Sequence, residues 1–170
     1  PRDRTQLPPS FRAGGRLRRD RAAEGFALSA LRLAHQELGG QGPPVVILHG
    51  LFGSSKNWVS TGRHLSAWGR VFALDLRNHG RSPHADSHSL EDLVGDLERW
   101  VQENLESPPV LLGHSMGGLA AMGYALRRPE SLRGLIVVDI AARSYDRGYE
   151  AELQALRLDL SPFSTRGEID

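Results

Sequence analysis

No cysteine occurs in this 170-residue chain. A disulfide-stapled scaffold, a cysteine-based metal site and a thiol nucleophile are therefore excluded. Lysine is nearly as scarce: Lys56 is the only one among 21 basic residues, which removes most lysine-based mechanisms. No apolar run approaches the roughly 18 residues of a membrane helix. Nor does any charged-then-apolar segment resemble a secretory signal, so a soluble chain without membrane insertion is expected. Histidine is missing from the whole stretch Ser115 to Asp170, although seven lie before it.

What is present fits one globular domain: 170 residues, 39% apolar and 24% charged. The net charge of +1 hides an asymmetry, because residues 1–24 hold seven arginines against Asp3, Asp20 and Glu24. The remainder is net negative, which argues against a nucleic-acid partner. Residues 1–24 read as a basic, solvated leader on a cytoplasmic protein, a mitochondrial targeting segment being the alternative. The chain opens at Pro1 instead of Met and closes in mid-pattern at Glu168-Ile169-Asp170, so a longer protein is expected.

Phe26, Leu28, Leu31 and Leu33 alternate with small or polar neighbours as far as Gly39-Gly40, which reads as one or two strands closed by a turn. Four unbroken apolar runs follow: Val45–Leu48, Val71–Leu74, Val110–Leu112 and Leu135–Val138. Such runs suit strands covered on both faces, and their helix-length separations predict an α/β fold with a mostly parallel sheet and right-handed crossovers. Between the second and third runs, Ser89 and Asp92 form a capping box. Leu90, Leu93, Val94, Leu97, Trp100 and Val101 then share a helical face, with Glu91, Asp96, Glu98 and Arg99 expected outside it. A second helix is expected from Met116 to Arg127-Arg128, stopped by Pro129. Tyr145 to Leu160 is a further amphipathic segment.

The run Gly113-His114-Ser115-Met116-Gly117-Gly118 is a Gly-x-Ser-x-Gly nucleophile elbow. Chance alone would supply the bare motif in roughly one shuffled chain in six, so its context decides. Here it directly follows an apolar strand and directly precedes a helical pattern, as the motif demands. Ser115 is the candidate nucleophile and the Met116 N–H a candidate oxyanion donor. His49-Gly50-Leu51-Phe52-Gly53 turns at the carboxyl edge of the sheet and offers a second donor, the Leu51 N–H first and the Phe52 N–H second. His49 itself reads as a packed or hydrogen-bonded residue. In the loop Asp75 to His84, Asp75 and Arg77 are expected to buttress the turn. His79, His84 and His88 share one loop without outside ligands, so no metal is expected, and no motif calls for a cofactor. His114 is expected to point away from the serine and pack against its neighbours. Asp139 ends the strand after the elbow: it either orients a histidine brought from elsewhere or tethers the following loop.

Together, HGLFGSSKNW, DLRNHGRSPH, LLGHSMGG and IVVDIA resemble the α/β-hydrolase fold superfamily, most of all its small acyl esterases of bacteria and mitochondria. The resemblance implies a serine hydrolase acting on a small acyl ester or thioester. Ser115 would be its nucleophile, Met116 and Leu51 or Phe52 its oxyanion donors, and Asp139 matches an acid position of the subgroup. It also implies a core over 25–142, incomplete and holding only the N-terminal part of the fold. The start of a helical cap over 143–170 would follow, with the histidine later still. A binding protein without catalysis, or a lyase or acyltransferase using the same serine, are the alternatives.

Overall fold

Pro44–Leu48 (β2), Arg70–Leu74 (β3) and Val110–His114 (β4) are strands whose inner residues are buried on both faces, as their unbroken apolar runs require. They belong to a computed structural model that describes residues 30–143. The basic leader, Phe26 and Leu28, and the amphipathic segment from Tyr145 lie outside the described residues. Two further strands, His35–Gly39 (β1) and Gly134–Val138 (β5), complete a sheet of order β1-β3-β2-β4-β5. Only β1 runs antiparallel to its neighbour; the other pairings are parallel.

Helices Val59–Leu65 (α1), Leu90–Asn104 (α2) and Met116–Arg127 (α3) connect the strands. The path from β2 to β3 moves one way along the sheet, while β3 to β4 and β4 to β5 move the other way. Right-handed crossovers must therefore put α1 on one face and both α2 and α3 on the opposite face. The packing agrees. Val46, Leu48, Phe72, Leu74 and Leu111 face Leu93, Leu97, Trp100, Ala120 and Tyr124. Ile47, Val71, Ala73 and Leu112 face Trp58 and Leu65 on the α1 side. That second layer stops short of β5, where Ile136 and Val138 remain exposed.

Of the one or two strands expected between Phe26 and Gly39-Gly40, the described residues hold His35–Gly39; just ahead of it Ala34 O accepts the Asp75 N–H at 2.8 Å, while two N–H groups go to side chains. Leu31 N–H donates to Asp96 and Ala34 N–H to Ser82. An edge strand reading His-Gln-Glu-Leu-Gly lacks an apolar run because only part of it is covered. The glycine turn at its end is present, with φ of +105° at Gly39 and +89° at Gly40.

Helix α2 carries the capping box as read: Asp92 N–H donates to Ser89 Oγ at 3.1 Å, and Ser89 N–H donates back to Asp92 Oδ2 at 3.0 Å. Trp100 is buried and donates through Nε1 to His35 Nδ1 at 3.1 Å. Two residues assigned to the outer face are instead buried, Asp96 and Glu98. Each has a remote arginine: Arg77 forks onto Asp96, and Arg128 lies 3.3 Å from Glu98. Helical spacing reveals charge but not distant partners, and a buried carboxylate is tolerable only when paired. Among the described residues no helix is long and apolar enough to cross a membrane.

Candidate active site

Connections leave β2 and β4, neighbours in the sheet, in opposite directions. A crevice opens outside the carboxyl ends of two strands arranged like this. Ser115 follows β4 there, with φ of +49° and ψ of −118°, a strained setting for a residue with a side chain. The strain is held by three backbone bonds. Ser115 N–H donates to Val138 O at 2.9 Å, and Ser115 O accepts from Gly118 N–H at 2.8 Å and Leu119 N–H at 3.1 Å. Met116 then opens α3, so its N–H has no intrahelical acceptor and points out at the positive end of the helix.

The flanking glycines are required by close approach. A Cβ at Gly117 would stand 2.5 Å from Leu48 O and 2.6 Å from His49 O, both backbone atoms. At Gly113 it would fall 2.6 Å from the Gly118 Cα. Helix α3 thus rests directly on the end of β2, which brings the His49–Gly53 turn beside the elbow. At Gly50 a Cβ would lie 3.2 Å from Ser115 Cβ.

The turn itself is closed by Gly53 N–H donating to Gly50 O at 3.0 Å. Gly50 O also accepts from His49 Nδ1 at 2.7 Å, while His49 Nε2 accepts the Leu76 N–H at 3.0 Å. Both ring nitrogens are thereby used, and burial holds the imidazole below its ordinary pKa and neutral. This is the packed histidine expected from sequence. Phe52 N–H donates to His79 Nε2 at 3.3 Å. Among the described residues the Leu51 N–H meets no acceptor. Of the two donors read from the sequence, Leu51 is the one left open.

Asp139 is brought to the site by register: His114 pairs with Val138, so Ser115 and Asp139 occupy the next positions of adjacent strands. Its backbone is also left-handed, φ +57°, and its exposed carboxylate approaches His114 Nε2 at 3.7 Å. His114 turns into a cleft of about 490 Å3 shared with Leu51, Phe52, Asn57, Trp58 and Thr61. Among the described residues no histidine hydrogen-bonds the Ser115 hydroxyl.

The loop after β3 is a buried electrostatic brace. Arg77, 1% exposed, donates to both oxygens of Asp96 at 2.7 and 2.9 Å and to Ser87 O at 3.0 Å, with Asp92 at 3.2 Å. Burial alone would push Asp75 up, but the Ser55 N–H at 2.6 Å and Arg81 N–H at 3.1 Å outweigh it and leave the carboxyl below its ordinary value. The buttressing expected of Asp75 and Arg77 is what these contacts provide. His79 and His88 are ring neighbours, centroids 5.8 Å apart, but both spend their nitrogens on protein atoms. Among the described residues no group of His, Asp and Glu is arranged to hold a metal. The acceptor role of His79 was not legible, since spacing cannot show which N–H a ring nitrogen meets.

A strained serine on a strand-turn-helix at the switch point of a parallel sheet defines the α/β-hydrolase architecture. The sequence pattern of the alpha/beta hydrolase fold matches residues 43–166, and the chain belongs to that family. Among curated proteins it is 41% identical over 127 residues to the sn-1-specific diacylglycerol lipase ABHD11 of Mus musculus, covering 72% of this chain and 41% of the lipase. It is 42% identical over 104 residues to a probable alcohol acetyltransferase of Saccharomyces cerevisiae, covering 58% and 30%. A solved marine microorganism esterase superimposes with a TM-score of 0.71 at 40% identity, covering 82% of this chain and 56% of that one. The chain thus spans under half the length of these curated relatives.

Proposed function

We propose that the whole protein is a serine hydrolase of carboxylic esters or thioesters, working through an acyl-enzyme on Ser115. The observation that carries this is the strained Ser115 with a helix-start N–H on one side and the open Leu51 N–H across the crevice. Ser115 Oγ attacks the carbonyl carbon and its proton passes to an imidazole. The carbonyl oxygen gains charge against the Met116 and Leu51 N–H groups, and the leaving alcohol or thiol departs with that proton. Water then attacks the acyl-serine, giving the acid and free Ser115. The imidazole comes from a histidine later in the protein, and Asp139 orients it.

Acyl transfer is the second reading, favoured by the similarity to the yeast protein. It uses the same acyl-serine and differs only in an alcohol replacing water. In the complete protein, Ser115→Ala should reduce p-nitrophenyl acetate turnover by at least a thousandfold without changing the unfolding midpoint. Retained turnover would sink the serine mechanism. Ester formation from added ethanol, followed by chromatography, separates transfer from hydrolysis.

A further inference from the structure

We infer that His79 is a positioning residue for the oxyanion turn: its imidazole captures the Phe52 N–H and so fixes the turn that leaves Leu51 N–H open. The inference rests on the serine-hydrolase reading for its catalytic consequence, though not for the bond itself. Four residues form the turn, Gly50 to Gly53, with Phe52 third and at φ +61° while Leu51 keeps a negative φ. Those signs match a type II turn, which favours glycine or asparagine at the third position. Phenylalanine is strained there, and its side chain is 51% exposed, so packing does little to hold it.

The competing type I turn differs by rotating the central Leu51–Phe52 peptide by about 180°. A hydrogen bond to the Phe52 N–H therefore selects between them. His79 is set up to make it. Its Nδ1 lies 2.8 Å from Arg77 O, a carbonyl that can only accept, so Nδ1 carries the proton and Nε2 is left as an acceptor at 3.3 Å from Phe52 N. The ring is wedged between His49 and His88, centroids 5.1 and 5.8 Å away, and Arg77, whose carbonyl it bonds, is locked by Asp96.

In either turn type Gly50 O can receive the Gly53 N–H, and here it receives both that N–H and His49 Nδ1–H. The Leu51 N–H lies antiparallel to that carbonyl across one planar trans peptide, so clamping the oxygen aims the donor. The same row of rings reaches the other donor's residue, because His88 Nε2 lies 3.3 Å from Met116 Sδ. No other group among the described residues competes for the Phe52 N–H.

Two replacements in the complete protein separate this role from simple loop anchoring. His79→Asn retains a donor for Arg77 O but cannot reach Phe52; His79→Gln offers a carbonyl oxygen at the distance of Nε2. With p-nitrophenyl acetate, H79N should lower kcat about tenfold at nearly unchanged KM, and H79Q should recover most of that loss. An Asn variant as fast as the Gln variant, or losses confined to KM, would overturn the proposal. Nitrogen-15 NMR of the wild-type imidazoles tests the bond without turnover. A protonated Nδ1 and an accepting Nε2 on His79 are expected. An Nε2–H tautomer refutes the proposal whether or not Ser115 is the nucleophile, whereas loss of the serine mechanism alone leaves the tautomer as stated.

Discussion

Removing the Asp96 carboxylate should be among the most damaging single changes in the described core. Asp96 and Arg77 are each 1% exposed, and the carboxylate accepts two guanidinium bonds together with the Leu31 N–H at 2.6 Å. Asp96→Ala leaves a buried cation with Ser87 O and Asp92 as its remaining partners, and it orphans Leu31 N–H. Breaking a buried pair from one side costs about 3–5 kcal/mol. Asp92 keeps part of the charge compensated, which argues for the lower end, while the orphaned amide adds about 1–3 kcal/mol. A net loss of about 4 kcal/mol is expected, a large part of the roughly 5–15 kcal/mol that holds a domain folded. Urea denaturation of the complete protein followed by tryptophan fluorescence measures it. Asp96→Asn keeps an acceptor for Leu31 and should lose about half as much. The double change Arg77→Met with Asp96→Leu removes both charges and should restore stability to within about 1–2 kcal/mol of wild type. A loss below about 1 kcal/mol for Asp96→Ala would refute the reasoning, since it would mean the pair is solvated in solution.

Other tests bear on the elbow and on acid stability. Gly117→Ala drives a methyl group into Leu48 O and His49 O. It should cost about 1–3 kcal/mol and more than tenfold in kcat/KM, because α3 and the donor turn must separate. Asp92 is held at about 2 by the hydroxyls of Ser87 and Ser89, below its ordinary 3.8. Its folded pKa is depressed, so its contribution is complete above the ordinary value and disappears as pH falls toward about 2. Asp92→Asn should flatten that part of the stability-against-pH curve, which unfolding midpoints across an acid series will show.

Where both faces of an element are covered by its sequence neighbours, the chain reveals itself. Val45–Leu48 and Val71–Leu74 read as buried strands from composition alone, and Ser89, Pro129 and the elbow glycines mark where helices begin and end. His35–Gly39 was legible only as part of the one or two strands expected up to Gly39-Gly40, because a polar edge strand has neither an apolar run nor strict alternation to fix its bounds. Asp96 was misplaced for a different reason. Its partner is Arg77, on a separate loop, and no local pattern encodes that meeting. At the candidate site, Ser115, Met116, Leu51 and Asp139 were legible as strand-end residues. Which turn amide stays open depends on the ring of His79, a contact between two crossovers that periodicity cannot see.

The placement of the candidate donors on β2 and β4 has a consequence for folding. Leu51 and Met116 stand on different crossovers far apart in sequence, and they meet only once Leu48 pairs with Gly113 at the ends of the two strands. Neither half presents both candidate donors alone. Reaction of Ser115 with an electrophilic active-site label would then appear only after the central strands had joined, making that chemistry a clock for long-range assembly.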